Sequence, residues 1–377
     1  MKVLHIVESF GRGAVESWMI SLAKQEEYVN SSNAWHFFTI ETNAGERARE
    51  IEECGCTVFS SGFGLTQKGQ FLRELRSIVT KEKYDVVHSH HDFLSGFYAM
   101  ALIGLRIKFI VHSHNNDAHL PMAPSRAKHF LPLFSWMIRL RADAILSISQ
   151  YSLNFFKEGL RWDSSSVPAK IIYYGIDTLK TKEDVTSKDL GVTDGFRVLF
   201  AGRLIEEKGP LFALDVAKNI AKLKSSVEFL VVGEGDQLPF MQHAAKNAPP
   251  NLMVRFLGWR DDVLSIMWAC DVFLFPRDPN KMEGYGFVML EAQAMGALCA
   301  ISRGVSEDTI VEKQLVEYMP NMSPEKWAQA IVDWESEVSQ VLSRRKRAEL
   351  GEAAVIENRS LKKSFLTLES IYDLILK

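Results

Sequence analysis

Cysteine is scarce in this chain: four residues in 377, Cys54, Cys56, Cys270 and Cys299, with no C-x-x-C pair. That argues against a disulfide framework and favours a reducing cytoplasm. Long apolar runs are also missing. The longest uncharged apolar stretch, Phe93 to Leu105, falls well short of the roughly 20 residues a transmembrane helix needs, and it reads as a buried helix. The opening MKVLHIVE has too short an apolar run before Glu8 for a signal peptide, so a first strand is expected there and export is not. A large excess of charge of one sign is missing as well. Lys and Arg number 44 against 47 Asp and Glu, a formal net charge of −3, which leaves no global basic field and argues against nucleic acid as a partner. No repeat or low-complexity tract occurs, and no G-x-G-x-x-G follows the first strand, which disfavours a dinucleotide-dependent oxidoreductase.

What is present is a strand–helix alternation, met twice. KVLHIV (2–7), WHFFTI (35–40), DVVH (85–88), KFIVH (108–112), AILSI (144–148) and KIIY (170–173) are separated by longer amphipathic segments. The pattern restarts with FRVLFA (196–201), VEFLVV (227–232), LMVRF (252–256), DVFLF (271–275) and ALCAI (297–301). Each series predicts an α/β unit with a parallel sheet covered on both faces and ligands at the carboxyl ends of its strands. The polar stretch 178–195 between them reads as a linker, giving domains 1–177 and 178–357. From about Ser323 the pattern turns helical. Phe365, Leu368, Ile371, Leu374 and Ile375 predict a final amphipathic helix, 358–377.

The most informative segment is Glu283–Glu291, EGYGFVMLE, between the strand DVFLFP and a helical run. Backbone amides around Gly284, Tyr285, Gly286 and Phe287 fall at a helix N-terminus, which attracts phosphate. Glu291, one turn in on the side of Phe287, can accept hydrogen bonds from vicinal hydroxyls such as those of a ribose. At the start of the second series, FAGRLIEEKG sets Arg203 and Lys208 at a strand's carboxyl end, where a planar fork and a mobile ammonium together can neutralise a diphosphate. No Asp-x-Asp pair is present to hold a divalent ion, so no metal is expected.

Taken in order, these segments resemble a retaining glycosyltransferase of the GT-B fold, family 4, over nearly the whole chain. WRDDV (259–263), VVGEG (231–235) and YGID (174–177) also fall in family order. The resemblance implies two Rossmann-like domains facing a cleft, the final helix crossing back to the first. It implies a nucleotide diphosphate sugar as donor with no cofactor, and a glycan or lipid-linked acceptor, as in bacterial polysaccharide or lipopolysaccharide synthesis. In these terms Glu291 holds the ribose, the turn amides and Arg203 and Lys208 hold phosphate, and Glu283 lies near the transferred sugar. GRGAVESW resembles the glycine-rich loop after the first strand, with Gly13 at the donor and Ala14 where a second glycine is usual; a positive φ there would strain alanine.

FIVHSHNND places His112 and His114 on one face of a strand. By resemblance His114 lies near the reacting sugar, with a charge state expected to respond to cytoplasmic pH, and His112 is structural. HSHH (88–91) also invites a zinc reading with this pair, without a recognisable ligand spacing. Pro121 to Arg141 mixes Arg126, Lys128, His129, Arg139 and Arg141 with Phe130, Leu131, Leu133, Phe134, Trp136 and Met137. Two readings stay open: docking on the cytoplasmic face of a membrane, or a partly buried helix with charged ends. A sugar-nucleotide epimerase and a noncatalytic sugar-nucleotide-binding protein are the competing functions.

Overall fold

The structure, a computed structural model, describes residues 1–11, 13–114, 124–161, 167–177, 195–320 and 323–377, with backbone alone for 124–128. The linker read at 178–195 lies outside them but for its last residue. The chain forms two α/β units, Met1–Gly175 with Leu361–Lys377, and Ile176–Ser360.

Unit 1 holds seven strands: β1 (Lys2–Val7), β2 (Ala34–Thr39), β3 (Thr57–Ser60), β4 (Val86–Ser89), β5 (Lys108–Ser113), β6 (Ala144–Ser147) and β7 (Ala169–Ile171). Unit 2 holds six: β8 (Phe196–Ala201), β9 (Val227–Val232), β10 (Leu252–Gly258), β11 (Val272–Phe275), β12 (Leu298–Ile301) and β13 (Val316–Tyr318). All pair in parallel, in the orders β3-β2-β1-β4-β5-β6-β7 and β10-β9-β8-β11-β12-β13. Strands buried on both faces read as unbroken apolar runs, as VFLF of β11 does. The order reverses between β1 and β4 and again between β8 and β11. Successive crossovers leave on opposite faces at these points, and each opens a crevice at the carboxyl ends of its strands.

Two strands carry no sequence signal. β3 and β13 are edge strands of four and three residues with half-exposed positions, too short and too wet to show a run. Phe93–Leu105 is buried over much of its length, yet it forms a short helix, Ser95–Ala99, between two 3-10 turns.

The helix Leu361–Leu376 belongs to unit 1. Tyr372 meets His88 Nδ1 at 2.8 Å, Ser364 Oγ donates to the carbonyl of Tyr173 at 2.7 Å, and Phe365 packs on Trp35. Its buried stripe is Leu361, Phe365, Leu368, Ile371, Tyr372 and Ile375. Leu374, read as part of that stripe, is instead 52% exposed. It lies six residues beyond Leu368, about 240° round the helix, so the tyrosine takes the inward place. Urea unfolding should separate the two leucines: Leu368→Ala should cost about 2–5 kcal/mol, and Leu374→Ala about 0.5 kcal/mol or less.

Candidate functional site

In unit 2 the strand–turn–helix read from the sequence is present. Strand β11 ends at Phe275, and after the segment 276–286 the helix Phe287–Ala294 begins on Gly286, whose φ of 78° is a left-handed conformation that suits glycine. In its first turn the Met289 amide donates to Gly286 O at 3.0 Å, and helix N-termini as a class attract anions. Glu283 stands before the turn with its own amide donating to Gly304 O at 2.8 Å. Glu291 lies one turn inside the helix, and burial pushes its carboxyl up to about 7.

The loop after β8 approaches from the other side of the strand-order reversal. Gly209, with φ 68°, brings it against the end of β11 so closely that a Cβ would lie 2.3 Å from Pro276 O. This approach sets Lys208 Nζ 3.6 Å from Glu283 Oε2 and 5.5 Å from the centroid of the Phe275 ring. Burial lowers the Lys208 pKa, the nearby carboxylate of Glu283 opposes that, and the positive charges of Arg277 and Arg203 add to it. Arg203 itself is exposed. The segment therefore concentrates cations, a helix N-terminus and two carboxylates at the carboxyl end of the sheet.

Arg277 is a site residue that the sequence reading missed. Its side chain is buried, with Nη1 3.1 Å from Glu283 Oε2, Nη2 3.5 Å from Glu207 Oε1, and Nε donating to Lys281 O at 2.5 Å. Lys281 and Glu283 follow within the same loop, but Glu207 lies 70 residues back, so no local motif could reveal the link between the two loops. A separate cavity of about 430 Å³ is lined by Glu206, Gly209, Pro210, Gln237, Pro276 and Asp278 among others. It carries no Lys or Arg and so does not suit a diphosphate.

In unit 1 the glycine-rich loop leads from β1 into the helix Ala14–Ala23. Ala14 is the first helical residue and is not among the described residues with positive φ, so the strain anticipated for it is absent. Gly13 is extended, with φ −68°. A Cβ there would lie 2.1 Å from Glu16 Oε2, so the glycine makes room for this carboxylate. Glu16 is buried, and its pKa is raised to about 7 chiefly by that burial; its own backbone amide opposes the shift.

Behind the loop, five imidazoles line one face of the three central strands: His5 on β1, His88 and His90 at β4, His112 and His114 at β5, all buried. Three of them form a chain, with His5 Nδ1 3.0 Å from His90 Nε2, His90 Nδ1 2.9 Å from His114 Nε2, and His114 Nδ1 bonded to Tyr174 Oη. Asp92, in the left-handed region at φ 40°, accepts the His114 amide at 3.1 Å. Burial lowers all five, His5 and His114 to about 3. His114 is thus neutral throughout the cytoplasmic range, which corrects the expectation that its charge would respond there. Both its ring nitrogens are engaged within unit 1.

The zinc reading finds partial geometric support. His5, His88 and His90, and His90, His112 and His114, each bring ligand nitrogens within 4.8 Å of one another. However, the rings stack, as His88 and His90 do at 4.3 Å and 21°, and several nitrogens are spent on hydrogen bonds between imidazoles. His91 stands apart, bonded to Tyr98. His5 was missed because its partners come from β4, more than eighty residues on.

The segment Pro121–Arg141 gives the helix Pro124–Arg141; its side chains up to Lys128, Arg126 included, lie outside the described residues. One face is buried through Phe134, Met137 and Ile138. The other exposes Phe130, Leu133, Trp136 and Leu140, spaced as one stripe, beside exposed His129 and Arg139. Arg141 is not free for a surface role. Its guanidinium bonds to the carbonyls of Leu105 and Ile107 and to Asp143. Among the described residues, no helix is long and apolar enough to cross a membrane.

The comparisons with known proteins fit this arrangement. A family profile described as "Glycosyl transferases group 1" matches residues 195–336, and one described as "Glycosyltransferase Family 4" matches residues 36–179. The chain is 27% identical over 260 residues to a UDP-Gal:alpha-D-GlcNAc-diphosphoundecaprenol alpha-1,3-galactosyltransferase of Escherichia coli, covering 64% of each chain. It is 22% identical to the capsular polysaccharide biosynthesis glycosyltransferase CapH of Staphylococcus aureus, covering 95% of each. Among solved structures, Anabaena HepE in complex with UDP and glucose superposes with a TM-score of 0.75 at 19% identity, over 99% of this chain and 100% of that one.

The histidine chain gives a sign for acid stability. Unfolded imidazoles take up protons near 6.5, whereas those of folded His5 and His114 resist until about 3. Their contribution is therefore whole above pH 6.5 and is lost as pH falls from there toward 3. The thermal midpoint should drop across this window. Among the described residues, the two buried nitrogens of His112 find no hydrogen-bond partner. His112→Leu should melt no lower than the wild type at pH 7.5 and show a shallower acid slope.

Proposed function

Because the chain belongs to family 4 of the glycosyltransferases, with the GT-B fold of two parallel-sheet α/β domains, we propose that it is a retaining, metal-independent hexosyltransferase. It moves a sugar from a nucleotide diphosphate sugar to a glycan or lipid-linked acceptor in bacterial-type polysaccharide or lipopolysaccharide synthesis. The relative named for UDP-Gal and the neighbour holding UDP make a UDP-sugar the donor to test first. Retention of configuration rests on family membership.

The observation that carries this reading is the meeting of Lys208, Glu283 and the start of the helix Phe287–Ala294 at the strand-order reversal of unit 2. Departure of a nucleoside diphosphate leaves negative charge on phosphate oxygens and positive charge on the sugar ring. Arg203, Lys208 and the turn from Gly284 to Phe287 would stabilise the first. They would do what a divalent ion does elsewhere. Glu291 would accept the ribose hydroxyls, and Glu283 would contact the transferred sugar. In unit 1, Gly13 is the candidate for contact with the donor and His114 for a sugar hydroxyl. His114 would first exchange one of its present partners.

Calorimetry with UDP in excess EDTA tests the donor site. The folded wild type should bind, and Glu291→Ala and Lys208→Ala should each weaken binding by about tenfold or more. Affinity should also fall as pH drops through about 7, where Glu291 takes up its proton, and Glu291→Gln should flatten that dependence. A folded wild type that binds no nucleoside diphosphate would sink the reading.

The exposed apolar stripe of the helix Pro124–Arg141, with Arg139 beside it, favours a second element: peripheral docking on an anionic cytoplasmic membrane face, which would present a lipid-linked acceptor. Flotation with vesicles containing anionic lipid at low salt should carry the wild type upward and leave Trp136→Glu/Leu140→Glu behind. Equal flotation of both would remove this element.

A further inference from the structure

The carboxylate of Glu283 has two cations on one oxygen. Lys208 Nζ is 3.6 Å and Arg277 Nη1 3.1 Å from Glu283 Oε2. The two are held differently. Lys208 is a single ammonium on a flexible stem. Arg277 is fixed from three sides: its Nε bonds to Lys281 O, its Nη2 reaches Glu207, and its own carbonyl accepts Ser302 Oγ at 2.5 Å. The next residue, Asp278, donates its amide to the carbonyl of Glu207 at 2.9 Å. One planar fork thus ties the loop after β11, the loop after β8 and the carboxylate before the turn.

A nucleoside diphosphate entering this site brings at least two negative charges and draws on Lys208. If Lys208 were the sole partner of Glu283, binding would leave a half-buried carboxylate uncompensated beside the diphosphate, or would leave Lys208 held back by it. We infer that Arg277 is a positioning residue, the permanent counter-ion of Glu283, which fixes the carboxylate toward the donor sugar and releases Lys208 to the diphosphate. A lysine at 277 would keep the charge and lose the fork, since it cannot span Glu283, Glu207 and a backbone carbonyl together. The inference rests on the donor-site reading above and adds to it a division of labour between the two cations.

The test compares the wild type, Arg277→Lys, Arg277→Met, Glu283→Gln and the Arg277→Met/Glu283→Gln pair in binding UDP and the UDP-sugar that the wild type binds most tightly among UDP-glucose, UDP-galactose and their N-acetylated forms. Arg277→Met should weaken UDP by about tenfold, because Lys208 is then retained by Glu283, and the added Glu283→Gln should restore it to within about threefold of wild type. A residue that merely supported the loop would give no such rescue. Arg277→Lys, the variant expected to fold in every case, should keep UDP affinity within about threefold yet lose most of the extra affinity that the sugar confers, as Glu283→Gln also does. UDP affinity unchanged in a folded Arg277→Met, or a double variant as weak as that single one, would overturn the inference while leaving the donor site standing. Should Arg277→Met not fold, retention of the full sugar increment by Arg277→Lys would overturn it. A wild type that binds neither UDP nor any UDP-sugar would overturn the donor-site reading and this inference together.

Discussion

Parallel pairing is the constraint from which the sites follow. A strand that lies parallel to its neighbour must be reached by a crossover, and the crossover's hand leaves it only one face of the sheet to cover. Where the strand order turns back, between β1 and β4 in one unit and β8 and β11 in the other, consecutive connections part company. The residues there have no covering helix at the strand ends. Gly13, His90 and Asp92 stand at the first of these gaps, and Lys208, Arg277 and Glu283 near the second.

The two gaps are filled by different chemistry. Unit 2 gathers charge: three basic side chains near two glutamates, one of which shares its oxygen between a lysine and an arginine. Unit 1 gathers neutral polar groups. Its imidazoles are buried so deeply that the uncharged form is favoured, and three of them, His5, His90 and His114, join in a line that ends at Tyr174. A polyanionic ligand suits the first environment. The second suits hydroxyl groups, which need donors and acceptors and no net charge.

How much of this could be read from the sequence depended on distance along the chain. The turn from Glu283 to Glu291 was legible because strand, glycine and helix start are contiguous, and local rules cover such segments. The central strands were legible because burial on both faces makes them predominantly apolar. β3 and β13 were not, since an edge strand of a few half-exposed residues satisfies no periodicity. Arg277 and His5 were illegible for another reason. In sequence Arg277 looks like a loop cation and His5 like a stray polar residue in a strand; the first joins Glu283 of its own loop to Glu207, 70 residues back, and the second meets His90, 85 residues on. Leu374 shows the limit of counting apolar positions, because a tyrosine with a hydroxyl partner at His88 displaced it from the buried stripe.

The helix Leu361–Leu376 has a bearing on how the molecule comes into being. Unit 2 is one continuous stretch, whereas unit 1 is interrupted by it and completed only by residues 361–377. A ribosome makes the first sheet early, yet the surface that will meet Tyr372, Phe365 and Leu368, with His88 and Trp35 upon it, stays uncovered while some 180 further residues are added. The part of the chain synthesised first is therefore the part sealed last, and a nascent polypeptide that stalls anywhere in unit 2 exposes an apolar, imidazole-lined face to the chaperones and proteases around it.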